Sequence, residues 1–199
     1  MVFPPEKNQS KKVLKVKRIN PAIKKIVRSG GVGVMPTDTI YGLVGSAMIP
    51  ETVERIYKLR RRDPKKPLIV LIDKISDLKK FKITLNPKLY NLAASYWPGP
   101  VSIILPCPLK NFSYLHRGTK TIAFRLPKLK WLIEFLDEVG PLVAPSANPA
   151  DRHPARNIRH AVRYFGNQVD FYIDSGEKKI TKPSTLLKIT EKGIETLRQ

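Results

Sequence analysis

The stretch GGVGVMPTDTIYGLVGSA, Gly30 to Ala47, sets the reading of the chain around it. Two glycines stop the helix before them, GVGVM follows as a strand, and that strand runs into Pro36 and three small polar residues, Thr37, Asp38 and Thr39. Gly30, Gly31 and Gly33 precede the strand instead of following it, so they read as a helix stop and not as a dinucleotide-binding fingerprint. A turn would account for Thr-Asp-Thr, and so would the lip of a binding pocket, since open α/β folds bind ligands at strand ends.

Working outward, VLKVKRI (Val13 to Ile19) reads as a short edge-type strand, and Asn20-Pro21 supplies an N-cap and a first-turn proline for a helix whose apolar face is Ile23, Ile26 and Val27. ETVERIYKLR gives a second helix that ends by Asp63-Pro64, and PLIVLI a strand buried on both faces. Asn86-Pro87 repeats the cap-plus-proline signal ahead of a helix carrying Leu89, Tyr90, Ala93 and Trp97. Beyond it come strands VSIIL and TIAFRL, helix KLKWLIEFLDEV, strand PLVA, helix NIRHAVRYF, and strands DFYI, STLLKI and GIETLR. This alternation predicts an α/β fold with a twisted mixed parallel/antiparallel sheet and flanking helices. No repeat or linker divides it, so the reading is a basic N-terminal arm over 1–12 and one domain over 13–199.

The chain has 199 residues, with 37 Lys and Arg against 16 Asp and Glu, a formal net charge of +21. That excess favours polyanionic partners, without choosing between a nucleotide and an RNA. Apolar runs are far shorter than a membrane span, the N-terminus lacks the apolar core of a signal peptide, and the one cysteine, Cys107, fits a reducing compartment, which together predict a cytoplasmic protein without a membrane partner. GxxxxGK[ST], HExxH, CxxC and GxSxG are all absent, and His116, His153 and His160 lack metal-ligand spacing, so no protein metal site is expected.

Four segments carry polar residues that a core does not require. In KLRRRDPKKPLIVLI a cationic cluster suits a helix C-terminus, yet Arg60 and Arg62 would also point the same way in extended chain, and two guanidinium forks match a polyphosphate or carboxylate. In TIAFRLP, period two places Ile122, Phe124 and Leu126 on one face and Thr121, Ala123 and Arg125 on the other. Such a face suits an edge strand in water or a strand making room for a small anion. PSANP, with Ser146 and Asn148, and KPST, with Ser184, add hydroxyls and an amide in loops where turn chemistry alone also explains them.

PTDTIYGL (Pro36 to Leu43), RRRDPKKPL (Arg60 to Leu68), WPGP (Trp97 to Pro100), IAFRLP (Ile122 to Pro127), APSAN (Ala144 to Asn148) and STLL (Ser184 to Leu187) occur in the order and spacing of a known family. From about Val13 onward the sequence resembles the YrdC-type threonylcarbamoyl-AMP synthases. The resemblance implies a YrdC-like fold with a large basic cavity. It also implies synthesis of threonylcarbamoyl-AMP and pyrophosphate from L-threonine, bicarbonate and ATP with Mg²⁺, for threonylcarbamoyladenosine modification of tRNA. A separate threonylcarbamoyl transferase complex and tRNA or another RNA are the implied macromolecular partners.

Position by position, the resemblance places Thr37, Thr39, Arg125, Ser146 and Ser184 on threonine or carbamate. It places Arg60, Arg62, Thr121, Asn148 and Arg198 on ATP, with Lys58 as a second start for the cationic element and Tyr41 as part of the cavity wall. Arg60 stands where the family has lysine, and Ala150-Asp151 and His153-Pro154 replace its usual Ser-Gly and Ser-Pro. No residue stands out as nucleophile or general acid/base. Two other readings share the fold: a non-catalytic RNA-binding module, and a carbamoyl-adenylate former using carbamoyl phosphate.

Overall fold

The computed structural model describes residues 13–178, 183–190 and 193–198, so the basic arm over 1–12 and Lys182 lie outside the described residues. In chain order the elements are β1 (Leu14–Val16), α1 (Pro21–Arg28), β2 (Gly33–Pro36), β3 (Tyr41–Ser46), α2 (Pro50–Arg60), β4 (Ile69–Leu71) and α3 (Pro87–Tyr96). There follow β5 (Val101–Pro106), α4 (Ser113–His116), β6 (Thr121–Arg125), α5 (Lys130–Val139), β7 (Leu142–Val143), α6 (Ile158–Phe165), β8 (Phe171–Ile173), β9 (Thr185–Thr190) and β10 (Gly193–Arg198).

Local chemistry sets the boundaries. The Asn20, Asn86 and Asn157 side chains accept from Ile23, Leu89 and His160 N–H at 3.1, 2.9 and 2.9 Å, capping α1, α3 and α6. Gly30 takes φ +84° just past α1, and the Gly31 N–H returns to the Ile26 carbonyl at 2.8 Å, the hydrogen-bonded stop that the glycine pair predicted.

The strands form one mixed sheet in the order β1-β8-β2-β3-β7-β4-β6-β5-β9-β10, with parallel pairs β1/β8, β2/β8, β4/β6 and β5/β9. Strand β1 is at an edge, as its composition suggested. Strand β3 was not foreseen: all six of its residues are buried, so it shows no alternation, and it pairs with β2 in a hairpin from Gly33↔Val44 to Pro36↔Tyr41.

Neighbouring positions of the central strands sort into two cores. Val34, Leu43, Val70 and Val143 join Ile56, Phe81 and Phe124 on one side. Met35, Val44, Leu71 and Leu142 join Ile23, Val27, Leu132 and Phe135 on the other. Strand β6 belongs to this scheme on one face only: Phe124 packs edge-on against Phe81 with centroids 4.9 Å apart, whereas Thr121, Ala123 and Arg125 face an open cavity. Truncating the fully buried Phe124 to Ala removes the ring that packs on Phe81. We expect a loss of about 3–5 kcal/mol of stability, read as a lower urea midpoint.

Candidate active site

The cavity, about 470 Å³, lies over the uncovered face of β6. Strands and loops supply most of its wall, and Arg60 reaches it from the end of α2. Its volume is that of a small-molecule site.

One side is built by the β2–β3 turn. Thr37 Oγ1 donates to the Ile40 carbonyl at 2.7 Å and accepts from the Thr39 N–H at 3.2 Å, so the threonines first of all close the hairpin. The same geometry sets the two hydroxyls 3.1 Å apart on the cavity wall, where Arg125 Nη1 donates to Thr39 Oγ1 at 3.2 Å. Turn and pocket lip are therefore one structure.

Arg125 is 4% exposed. Its Nη2 comes within 3.1 Å of Asp38 Oδ1, but off the hydrogen-bonding direction, so Asp38 Oδ1 and Arg125 Nε have no hydrogen-bond partner among the described residues. Burial lowers the Arg125 pKa, Asp38 works against that, and Arg198 adds to it. Asp38 is the member of this site that motif reading left without a role.

The opposite side is cationic. Arg60 donates from Nε to the Asn148 carbonyl at 2.9 Å and from Nη2 to Ser146 Oγ at 3.1 Å. Burial, then repulsion from Arg62, pushes Arg60 down to about 10. Arg62 is anchored on the Lys66 and Pro67 carbonyls at 3.0 and 3.1 Å. The chain between the two arginines is not extended, because Arg61 takes a left-handed cap conformation, yet both side chains reach the cavity. Lys65, Lys66 and Thr119 complete this wall; the two lysines lie inside a quoted motif, while Thr119 carried no signal of its own. Arg198 bonds the Ser184 carbonyl at 2.9 Å, and Ser184 Oγ is 2.9 Å from Ser102 Oγ.

Of the twelve residues singled out from the sequence, Thr37, Thr39, Arg60, Arg62, Thr121, Arg125, Ser146, Ser184 and Arg198 line this one cavity. Asn148 is buried just behind it, holding Arg60 through its carbonyl. Two positions need correction. Lys58 is exposed on α2 and absent from the lining, because it lies off the buried face that carries Tyr57 and Arg60. Tyr41 is fully buried in the core and absent from the lining too; its hydroxyl instead donates to the Gly176 carbonyl at 2.8 Å.

This is a mixed-sheet α/β domain with an arginine-rich cavity. The family described as "Telomere recombination" (Sua5_yciO_yrdC) matches residues 25–199, and the chain belongs to that family. Threonylcarbamoyl-AMP synthase of Hahella chejuensis is 31% identical over 162 residues, 81% of this chain and 88% of the relative. The enzyme of the same name from Pyrococcus abyssi is 29% identical over 83% of this chain, which spans only about half (49%) of that relative's length. Among solved structures, P. abyssi Sua5 complexed with L-threonine superposes with a TM-score of 0.81 at 27% identity, covering 94% of this chain and 57% of that one. Escherichia coli YciO, 24% identical with a TM-score of 0.79, supports the fold.

Four arginines facing one another in a half-dry space repel, and a polyanion relieves that repulsion. Tripolyphosphate should therefore raise the thermal midpoint, by the equivalent of about 2.7 kcal/mol at a hundredfold excess over its Kd. In an Arg60→Gln/Arg62→Gln protein the shift should largely vanish in the same melting assay.

Proposed function

We propose that the chain is an L-threonylcarbamoyladenylate synthase, a nucleotidyltransferase that makes threonylcarbamoyl-AMP and pyrophosphate from L-threonine, bicarbonate and ATP for the threonylcarbamoyladenosine modification of tRNA. The observation that carries the reading is Arg125, buried beside two threonine hydroxyls, in the same cavity as Arg60 and Arg62. One cation suits a carboxylate, and a separate cationic wall suits a triphosphate. Family membership and the names of the relatives support it.

In this reading Arg125 takes the threonine carboxylate, with Thr37 and Thr39 beside it and Ser146 and Ser184 toward the carbamate. Arg60, Arg62, Thr121, Asn148 and Arg198 serve the nucleotide. Threonine's neutral amine adds to the carbon of bicarbonate-derived CO₂ and sheds one proton, which joins the hydroxide left by bicarbonate as water, and the product is a carbamate. A carbamate oxygen then attacks the α-phosphorus of ATP in line, the bond to the β-phosphate oxygen breaks, and pyrophosphate leaves with its electron pair. Such a displacement calls for alignment and charge neutralisation more than for a protein nucleophile. Mg²⁺ enters with ATP as part of the substrate. Among the described residues no group of three or more His, Cys, Asp or Glu forms a metal site, and Asp38 is engaged with Arg125.

Pyrophosphate release tests the reading. It should require both threonine and bicarbonate and fall about 100-fold or more in an Arg125→Ala protein that melts normally. Release that ignores threonine would refute it.

RNA contact is favoured by one further observation. Arg152, Arg156, Arg159 and Arg163 are exposed along the loop before α6 and on α6 itself, starting beside Pro154 on the cavity rim. None has an ion-pair partner among the described residues. No helix of the described residues is long and apolar enough to cross a membrane. Replacing the four arginines by Gln should lower the salt slope of RNA binding in a filter or anisotropy assay by up to about 3, while pyrophosphate release persists.

A further inference from the structure

A second cavity, about 430 Å³, lies on the other side of the β2–β3 hairpin and has no lining residue in common with the first. Three parallel strands end at it: Lys17 and Arg18 follow β1, Pro36 ends β2, and Ile173 and Ser175 belong to the end of β8 and the chain just after it. Strand C-terminal ends are where open α/β sheets bind ligands. Helices α1 and α5 close the sides with Lys24, Trp131, Phe135, Glu134 and Glu138.

The floor is apolar, and Trp131, half-buried, offers a flat surface beside Phe135 and Pro36. The rim is charged unevenly. Lys24 and Glu138 satisfy each other at 2.6 Å. Glu134, well exposed, has only Lys130, at 4.0 Å, as an ion-pair partner among the described residues. Lys17 and Arg18 are adjacent and exposed, with no ion-pair partner among the described residues. The free charge on the β1 side is therefore cationic, next to an aromatic wall.

We propose that this cavity is a second ligand site, for a small amphipathic anion whose flat apolar body packs on Trp131 and whose one anionic group meets Lys17 and Arg18. Its volume is in the range of small-molecule sites, and two neighbouring cations select a carboxylate, sulfonate or phosphate over a neutral ligand. The site stands independently of the activity proposed above. The two cavities adjoin where Pro36, on the wall of one, leads into Thr37, on the wall of the other.

The probe is 8-anilinonaphthalene-1-sulfonate, a flat apolar body with one anionic group, titrated into the full chain with tripolyphosphate at saturation. Saturable one-to-one binding is expected, with energy transfer from tryptophan that drops in Trp131→Phe. Trp97, the other tryptophan, is buried, with its Nε1–H on the Val101 carbonyl at 2.8 Å. Lys17→Glu/Arg18→Glu, at exposed positions that leave the fold intact by melting, should weaken the probe at least about tenfold. Displacement of the probe by tripolyphosphate would assign it to the main cavity and overturn the proposal. So would unchanged affinity in the double variant, or binding that never saturates.

Discussion

Keeping Arg125 charged inside a sheet is the constraint on which the site depends. A guanidinium that is 4% exposed loses most of its hydration, and its neighbours must replace it. Asp38 supplies an opposite charge at 3.1 Å and Thr39 an oxygen at 3.2 Å, both from the β2–β3 turn. The turn keeps its shape because Thr37 closes it with its own hydroxyl. Hairpin geometry and the Arg125 environment are thus one network, left incomplete where Arg125 Nε has no partner among the described residues.

The cationic wall follows the same logic with less burial. Arg60, Arg62 and Arg198 are held by carbonyl oxygens, which orient a guanidinium without cancelling its charge. Burial lowers the pKa of all three, and Arg62 lowers Arg60 and Arg198 further. Even at about 10, Arg60 stays protonated near neutrality, so the wall carries positive charge across the physiological range. Arginine suits this arrangement: the fork spans both the Asn148 carbonyl and Ser146 Oγ, a two-point contact that a single ammonium on a flexible stem makes less rigidly.

Much of this was legible in the residues. The β6 alternation is a period-two signal with one face in a core and one in a cavity, and that signal alone separates Arg125 from Phe124. The Asn-Pro caps and the Gly30-Gly31 stop are local chemistry and read equally well. What did not read were features fixed by the other half of a contact. Strand β3 is buried throughout, so its pattern lacks polarity to follow. A Cβ at Gly45 would collide with Thr52, so that glycine marks close packing of α2 on β3. The resemblance placed Tyr41 on the cavity wall, whereas strand alternation turns it into the core toward Ser175 and Gly176. Asp38 was passed over because its partner is 87 residues away in sequence, and no spacing rule reaches that far.

The hairpin therefore serves two spaces at once. Its first strand ends at Pro36, on the wall of the second cavity, and its turn begins at Thr37, on the wall of the first. Tyr41, opposite Pro36 in the β2–β3 register, reaches through the core to the chain after β8, where Ser175 lines the second cavity. The Lys178 ammonium bonds the Thr37 carbonyl at 3.2 Å from that same segment. Two contacts, at the Tyr41 hydroxyl and the Thr37 carbonyl, thus tie that segment to the hairpin whose turn places Asp38 and Thr39 beside Arg125. The two cavities share no residue, yet they share the element whose geometry determines how Arg125 is presented.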